Sequence, residues 1–416
     1  MMNYCKLYLK PKKEESLLRF HPWVFSGAIA SMKGKPAEGD IVEVYSSDNN
    51  FLGTGHYQIG SIVVRILSFT PAVIDVNFWT ERLTRAYKLR HSLSLTGKNT
   101  CDTDKKPILN EDHCLTATIN DTYRLAHGEG DCLPGLIIDV YANTAVIQAH
   151  SVGMHYARKD IAEALRNVLG NGLSRIFYKS EGTLPFKADL GEENEYLYGN
   201  DNKDPNIATE NGNMFFIDWY KGQKTGFFID QRDNRTLLQH YAKNRSVLNM
   251  FCYTGGFSVY ALRGGASLVH SVDSSAKAIT LTNENVKLNF PEELHHQAFA
   301  DDAFKFMGNI DGKYDLIVLD PPAFAKHRNA LRNALQGYRK LNAIAIKKIK
   351  PGGIIFTFSC SQIVSKNDFR LAVFSAAAQS GRVVRILHQL TQPTDHPVNI
   401  YHPEGEYLKG LVLYVE

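Results

Sequence analysis

The chain has 416 residues, 44% hydrophobic and 22% charged, with a formal net charge of +4, a composition typical of a soluble protein of two or three domains. No apolar run reaches the ~18 residues of a membrane helix, and Met1–Lys13 lacks the apolar stretch of a signal peptide. The six cysteines (Cys5, Cys101, Cys114, Cys132, Cys252 and Cys360) form no C-x-x-C pair; they argue against a zinc site, no metal is expected, and their scatter suits a reducing cytoplasm.

Residues 1–35 carry a net charge of +5 and the rest of the chain −1. A positive end on a near-neutral body suits contact with phosphates, although a solvated lysine-rich terminus reads the same way. Within residues 1–70, Ile41–Tyr45 and Ile62–Leu67 read as strands punctuated by glycines, the pattern of a small β-barrel. Val76, Trp79, Leu83, Ala86, Leu89 and Leu93 recur every three or four residues and predict a helix with one apolar face. Arg82, Arg85, Lys88 and Arg90 lie between them and add positive charge. Gly97–Pro107 is polar and aperiodic, hence a loop. A second small unit follows from about 112 to 190. Its strands are expected at Tyr123–Leu125, Leu136–Val140, Ala145–Gln148 and Ser174–Tyr178, with a helix faced by Met154, Ala157, Ile161, Leu165 and Val168. Gly191–Asn213 is acidic, rich in Gly and Asn, and reads as a linker or hairpin.

From about residue 214 the pattern becomes β-α-β-α, which marks a parallel sheet. Strands are expected at Ser246–Phe251, Leu268–Val272, Asp315–Leu319, Ile354–Phe358, Val383–Leu387 and Gly410–Val415. A helix carrying Leu331, Leu335, Tyr338, Leu341 and Ile344 stops at Pro351-Gly352-Gly353. The domains predicted are 1–72, 73–205 and 206–416.

Three junctions in this last region carry chemistry. Val247–Phe251 runs into Thr254-Gly255-Gly256, where glycines let a ligand approach the backbone. Asp273 closes the next strand 18 residues after Gly255, a place suited to a ribose diol. The full G-x-G-x-x-G is missing, no dehydrogenase-like polar set follows, and Asp301-Asp302 stands where an adenine-binding acid would lie. These features favour S-adenosyl-L-methionine over NAD. Asp273 also fits a simple strand-end turn, and Asp302 also fits an N-cap for Ala303–Met307. Asp320-Pro321-Pro322 then ends one apolar run in a stiff corner whose carbonyls can accept hydrogen bonds from a base amine.

The third junction is Phe358-Ser359-Cys360-Ser361. Cytosine carbon 5 is too weak a nucleophile to take a methyl group directly. A thiolate adding to carbon 6 turns the ring into an enamine, provided the base is turned out of any stack. Cys360 and Asp320 at the ends of neighbouring strands could meet over one pocket for this purpose. An inert buried thiol is the alternative for Cys360. Cys252 reads as part of the cofactor turn.

The stretches Lys224–Arg235 (KTGFFIDQRDNR), Asn249–Ser258 (NMFCYTGGFS), Asp320–Phe324 (DPPAF) and Phe358–Ser361 (FSCS) together resemble the cytosine-5 methyltransferases of large-subunit ribosomal RNA, the RlmI-like family. His21–Gly27 (HPWVFSG) looks like the start of that family's PUA domain, and Gly128–Asp131 with Leu133–Leu136 looks like its central domain. The resemblance spans nearly the whole chain. It implies an α/β fold: a C-terminal Rossmann-like class I methyltransferase domain after a small N-terminal PUA-like RNA-binding β-barrel and a small α+β central domain. It implies that Cys360 is the nucleophile and Asp320 orients the base. S-adenosyl-L-methionine would lie against Phe251, Thr254, Gly255, Gly256, Asp273, Asp302 and Asp320. Gln231 and Arg232 would close that site, Arg232 by pairing with the methionine carboxylate or else serving a structural ion pair. Pro321, Pro322 and Phe324 would meet the substrate. The partner implied is 23S ribosomal RNA, alone or in a partly assembled subunit, with a homodimer as an option.

Two positions depart from related enzymes. Many RNA cytosine-5 methyltransferases carry a second Cys just after Asp-Pro; here Ala323 and Phe324 follow, as the RlmI-like family also lacks that Cys. Cys132 stands where a glycine is expected. Three rival readings remain at this level: a guanine N7 or exocyclic-amine methyltransferase, which needs no thiol; an inactive RNA-binding ribosome assembly factor; and an NAD oxidoreductase.

Overall fold

The structure is a computed structural model that describes residues 4–97, 120–184, 190, 194–201, 206–325 and 327–416. Cys101, Cys114 and all of the expected Gly97–Pro107 loop except Gly97 lie outside the described residues. The chain forms two compact units. The first comprises Met1–Gly212, Ile217–Ile229 and Thr394–Gly405; the second comprises Asn213–Phe216, Asp230–Pro393 and Glu406–Glu416.

The first unit holds two sheets. Strands β1 (Cys5–Leu9), β2 (Trp23–Phe25), β3 (Ile29–Lys33), β4 (Ile41–Tyr45), β5 (Phe51–Tyr57) and β6 (Ile62–Ser68), with α1 (Glu15–Leu18) in between, lie in the order β2-β6-β5-β4-β1-β3. Side chains alternate across a strand, so Val42 and Val44 of β4 are fully buried while their neighbours are not. Helix α2 (Val76–Ser92) starts where the Asp75 carboxylate accepts the Phe78 N–H at 3.0 Å.

The second sheet takes β7 (Thr122–His127), β8 (Leu136–Tyr141), β9 (Thr144–Ala149), β10 (Arg175–Tyr178) and β11 (Glu195–Tyr198) in the order β11-β10-β9-β8-β7. Helices α3 (Val152–Tyr156) and α4 (Arg158–Leu169) connect β9 to the parallel β10. Strand β12 (Ile207–Glu210) follows. The Gly191–Asn213 stretch therefore contains strands, not a bare linker, within its described residues.

Two details of this unit differ from the sequence reading. Leu89 and Leu93, expected on the apolar face of α2, are 40% and 41% exposed. Arg90, read as added surface charge, is fully buried. Its guanidinium grips both carboxylate oxygens of Asp131, with Nη2 to Oδ2 at 2.7 Å, and also donates to the carbonyls of Arg124 and Asp395. Spacing along one helix cannot reveal a buried cation whose acid lies 41 residues away. Cys132 adopts φ 58°, a left-handed conformation that explains why glycine is the expected residue there.

The second unit is a doubly wound sheet. Its elements are β13 (Asn213–Phe216), α5 (Arg232–Tyr241), β14 (Ser246–Met250), α6 (Gly256–Arg263), β15 (Leu268–Asp273), α7 (Ala276–Asn289), β16 (His296–Ala300), α8 (Ala303–Met307), β17 (Leu316–Leu319), α9 (Leu331–Lys348), β18 (Gly353–Ser359), α10 (Lys366–Ser380), β19 (Val384–Leu390) and β20 (Lys409–Val415). Seven strands lie in the order β16-β15-β14-β17-β18-β20-β19. The first five are parallel, and β20 runs antiparallel to both of its neighbours. The winding reverses between β14 and β17, which creates a switch-point crevice at the carboxyl ends of those strands. Strands β14, β17 and β18 are buried along their whole length, as their apolar runs require. Strand β16 (HQAFA) was not foreseen; it is a half-polar edge strand with little apolar signal. Among the described residues no helix is long and apolar enough to cross a membrane.

Arg90→Ala would leave Asp131 as a buried, uncompensated charge. The variant is expected to lose about 3–5 kcal/mol of stability, read as a shift in denaturant midpoint; a loss under about 1 kcal/mol would show that the pair is not structural.

Candidate active site

Strand β14 leads into a strained turn. Phe251, Tyr253 and Gly255 all have positive φ (59°, 47° and 79°), and Gly255 caps helix α6. A Cβ on Gly255 would come within 2.7 Å of the Thr282 methyl, so only glycine fits. The turn is pinned from outside. Thr282 Oγ1 donates to the Tyr253 carbonyl at 2.9 Å, and Asn285 Nδ2 to the Thr254 carbonyl at 2.8 Å. Asp273, at the end of β15, accepts the Tyr253 N–H at 3.0 Å and the Ser275 N–H at 2.9 Å. It is thus a turn acid, with lone pairs left over for a ligand. Asp302 follows β16 and caps α8, accepting the Lys305 N–H at 2.9 Å. Cys252 is buried against Thr282, and burial pushes its thiol up to about 12.

Asp320 and Cys360 follow β17 and β18, which pair in parallel with Leu319 opposite Thr357. Both are half-buried. Burial first, and then the negative charge of Asp230, push the Asp320 carboxyl up to about 7; its Oδ2 accepts Gln231 Nε2 at 3.0 Å. Gln231 is held in turn by Asn234, whose Nδ2 donates to Gln231 Oε1 at 2.6 Å. Burial, with Asp320 and Asp230 adding repulsion, pushes the Cys360 thiol up to about 12. The corner at Pro321 and Pro322 has one buried and one exposed ring. Phe324 packs on α9 with its ring centroid 4.8 Å from that of Tyr338. Gly337 makes room, since a Cβ there would sit 3.0 Å from the Phe324 ring. Arg232 is buried in the first turn of α5, its Nε 3.6 Å from Asp233.

Two residues that the sequence reading passed over join this group. Asp230 is held by Tyr407, whose hydroxyl donates to Oδ2 at 2.8 Å, while Oδ1 is buried with no hydrogen-bond partner among the described residues. Lys409 is buried, and that burial pushes its ammonium down to about 8. It donates to the carbonyls of Ser361 and Val364, and its charge opposes the rise of the Cys360 thiol. Ser361 Oγ donates to the Ala325 carbonyl at 2.8 Å, tying the loop after β18 to the loop after β17. Asp230 lay inside the KTGFFIDQRDNR stretch and so was within reach; Lys409 had no local signal.

A doubly wound sheet of this order, with a glycine turn after its first strand and acids ending the next strands, defines a class I methyltransferase. A family model for S-adenosylmethionine-dependent methyltransferases matches residues 123–401, and one for a PUA-like domain matches residues 7–69. Ribosomal RNA large subunit methyltransferase I of Aeromonas hydrophila is 38% identical across 98% of this chain and 99% of its own. Its namesake in Pseudoalteromonas atlantica is 39% identical across 99% of each. A solved Streptococcus mutans chain described as a SAM-dependent methyltransferase covers 99% of this chain and 100% of its own, with a TM-score of 0.79 and 23% identity, a likeness of fold. A second solved chain, a methyltransferase complexed with SAH, reaches a TM-score of 0.80 at 23% identity over the same shares, again a likeness of fold. The chain belongs to the S-adenosylmethionine-dependent methyltransferase family, in the branch of the ribosomal RNA large subunit methyltransferases I. Its cofactor is S-adenosylmethionine. The site suits that cation, with a backbone cradle that only glycine permits and an orphaned carboxylate oxygen on Asp230.

The raised Asp320 carboxyl gives a pH dependence of stability. The folded chain keeps this proton up to about pH 7, whereas the ordinary value is 3.8. Between those values the folded state binds more protons, so this group's contribution falls as pH rises from about 4 to 7. Asp320→Asn should remove the decline. Its unfolding free energy relative to wild type should rise between about pH 5 and pH 7.5; a constant difference would show an ordinary carboxyl.

Proposed function

We propose that this chain methylates carbon 5 of a cytosine in 23S ribosomal RNA, with Cys360 as covalent nucleophile, in the cytoplasm. The observation that carries the reading is the placement of Cys360 and Asp320 at the ends of adjacent parallel strands, beside the glycine turn that ends β14. The names of the relatives and the PUA-like domain support a ribosomal RNA substrate.

Thr254–Gly256 presents backbone to the cofactor, with Phe251 beside it. Asp273 and Asp302 hold the ribose and adenine with the lone pairs that their turn and cap bonds leave free. Arg232 offers a planar fork to the methionine carboxylate, and Gln231 spans from that side to Asp320. The negative charge of Asp230 helps to keep the Asp320 carboxyl protonated, and the ammonium and sulfonium of the cofactor would lie against Asp230.

The cytosine is turned out of its stack toward Pro321, Pro322 and Phe324. The Cys360 thiolate bonds to carbon 6 as the 5,6 double bond opens. Asp320, which keeps its proton up to about pH 7, donates to the base edge as negative charge builds there. When bound, S-adenosylmethionine would supply an electrophilic methyl group for carbon 5, its S–CH3 bond breaking to leave S-adenosylhomocysteine. Loss of the carbon 5 proton to a base then restores the double bond and releases Cys360. Lys409 favours the thiolate and fixes the loop that carries it.

Labelled methyl transfer to unmodified 23S rRNA, with nucleoside mass spectrometry, tests the reading. Wild type should yield 5-methylcytosine, and Cys360→Ala should yield none while binding the cofactor normally. Methylated guanine, a methylated amine, or an active Cys360→Ala would establish direct transfer instead. Asp230→Asn should weaken S-adenosylhomocysteine binding tenfold or more, because a charge-assisted hydrogen bond contributes ~1.5–3 kcal/mol. Calorimetry giving an unchanged Kd would remove Asp230 from the cofactor site.

A further inference from the structure

We propose that His21, His402 and Glu404, all in the first unit, form a binding site for a divalent transition-metal ion, with Zn2+ as the best match. The candidate ligand atoms of the three residues lie within 4.8 Å of one another. Nε2 of His402 is 3.8 Å from Glu404 Oε2, and Nε2 of His21 is 3.6 Å from the same oxygen.

The second observation is the state of His402. Its ring is 3% exposed, and neither nitrogen has a hydrogen-bond partner among the described residues. Buried polar atoms are nearly always satisfied, so an exception calls for an explanation such as an ion. An imidazole with unpartnered nitrogens, one of them facing a carboxylate shared with a second imidazole, is a ligand set.

The surroundings favour a cation. Glu129 adds a second negative charge facing His402, and its Oε1 accepts Trp23 Nε1 at 2.8 Å. The Trp23 ring stands edge-on to His402 with centroids 4.3 Å apart, forming an apolar wall. Two imidazoles and one carboxylate suit zinc and exclude the all-oxygen preference of Ca2+ and Mg2+. Zinc bonds of about 2.0–2.2 Å put tetrahedral ligands about 3.4 Å apart. The two His–Glu separations need to close by only a few tenths of an ångström. The gap between the two imidazoles, at most 4.8 Å, needs to close by up to about 1.4 Å, which the partly exposed His21 can supply. One weak contact is lost: the Trp23 N–H donates to His21 Nδ1 at 3.3 Å, and an ion on Nε2 moves the ring proton to Nδ1. The fourth position is left for water. The ion would clip the entry to β2 to the Thr394–Gly405 segment.

Zinc binding by the full-length chain, stripped with EDTA, provides the test. Titration with ZnCl2 should give one ion per chain at micromolar affinity or tighter and raise the melting temperature, while MgCl2 does neither. His402→Phe, which keeps a ring against Trp23, and Glu404→Gln, at an exposed position, should each weaken binding at least tenfold and abolish the thermal shift. Absence of binding in wild type overturns the site. So does zinc binding that both variants retain, which would assign the ion to thiols such as Cys360.

Discussion

The parallel register of β14, β17 and β18 is the constraint on which the rest depends. Met250 lies opposite Leu319, and Leu319 opposite Thr357, so the three apolar runs end almost level. Parallel strands release their chains on the same edge of the sheet, and a reversal of winding opens a crevice there. The glycine turn, Asp320 and Cys360 come from positions about seventy and forty residues apart in the chain, yet this register delivers all three to one edge. A slip of one residue would turn the side chains of a strand to the opposite face and separate the acid from the thiol.

At that edge electrostatics decide more than contacts do. Asp230, Asp320 and Cys360 share a partly desolvated space, where burial and neighbouring negative charge raise both the Asp320 carboxyl and the Cys360 thiol. Positive charge brought near the Cys360 thiol favours its thiolate. In the proposed reading, a cationic cofactor beside this crevice would favour the Cys360 thiolate. Lys409 contributes in the same sense from within the protein, as a buried cation fixed to the carbonyls beside Cys360.

Much of this was legible in the sequence. The β-α-β-α rhythm, the Thr254-Gly255-Gly256 turn, the terminal Asp273 and the Asp320 and Cys360 junctions are all local signals, because each depends on a run of apolar residues and the residue that ends it. Features built from distant partners were not legible. Arg90 looked like a surface charge until its acid and two carbonyl acceptors were brought to it. The half-polar edge strand β16 carried too little apolar signal to be seen. Residues Thr394–Gly405 lie late in the chain, yet they group with the first unit, which linear domain boundaries cannot express.

The sequence by itself determined the class of fold, the glycine turn and the candidate acid and thiol, since periodicity, glycine placement and strand-ending residues act over a few positions. Only the tertiary structure decided the surroundings of Asp230, Lys409 and Arg90 and the meeting of His21 with His402. Those depend on which charges and ring nitrogens are taken out of water together, and desolvation is a property of the folded chain, not of any segment of it.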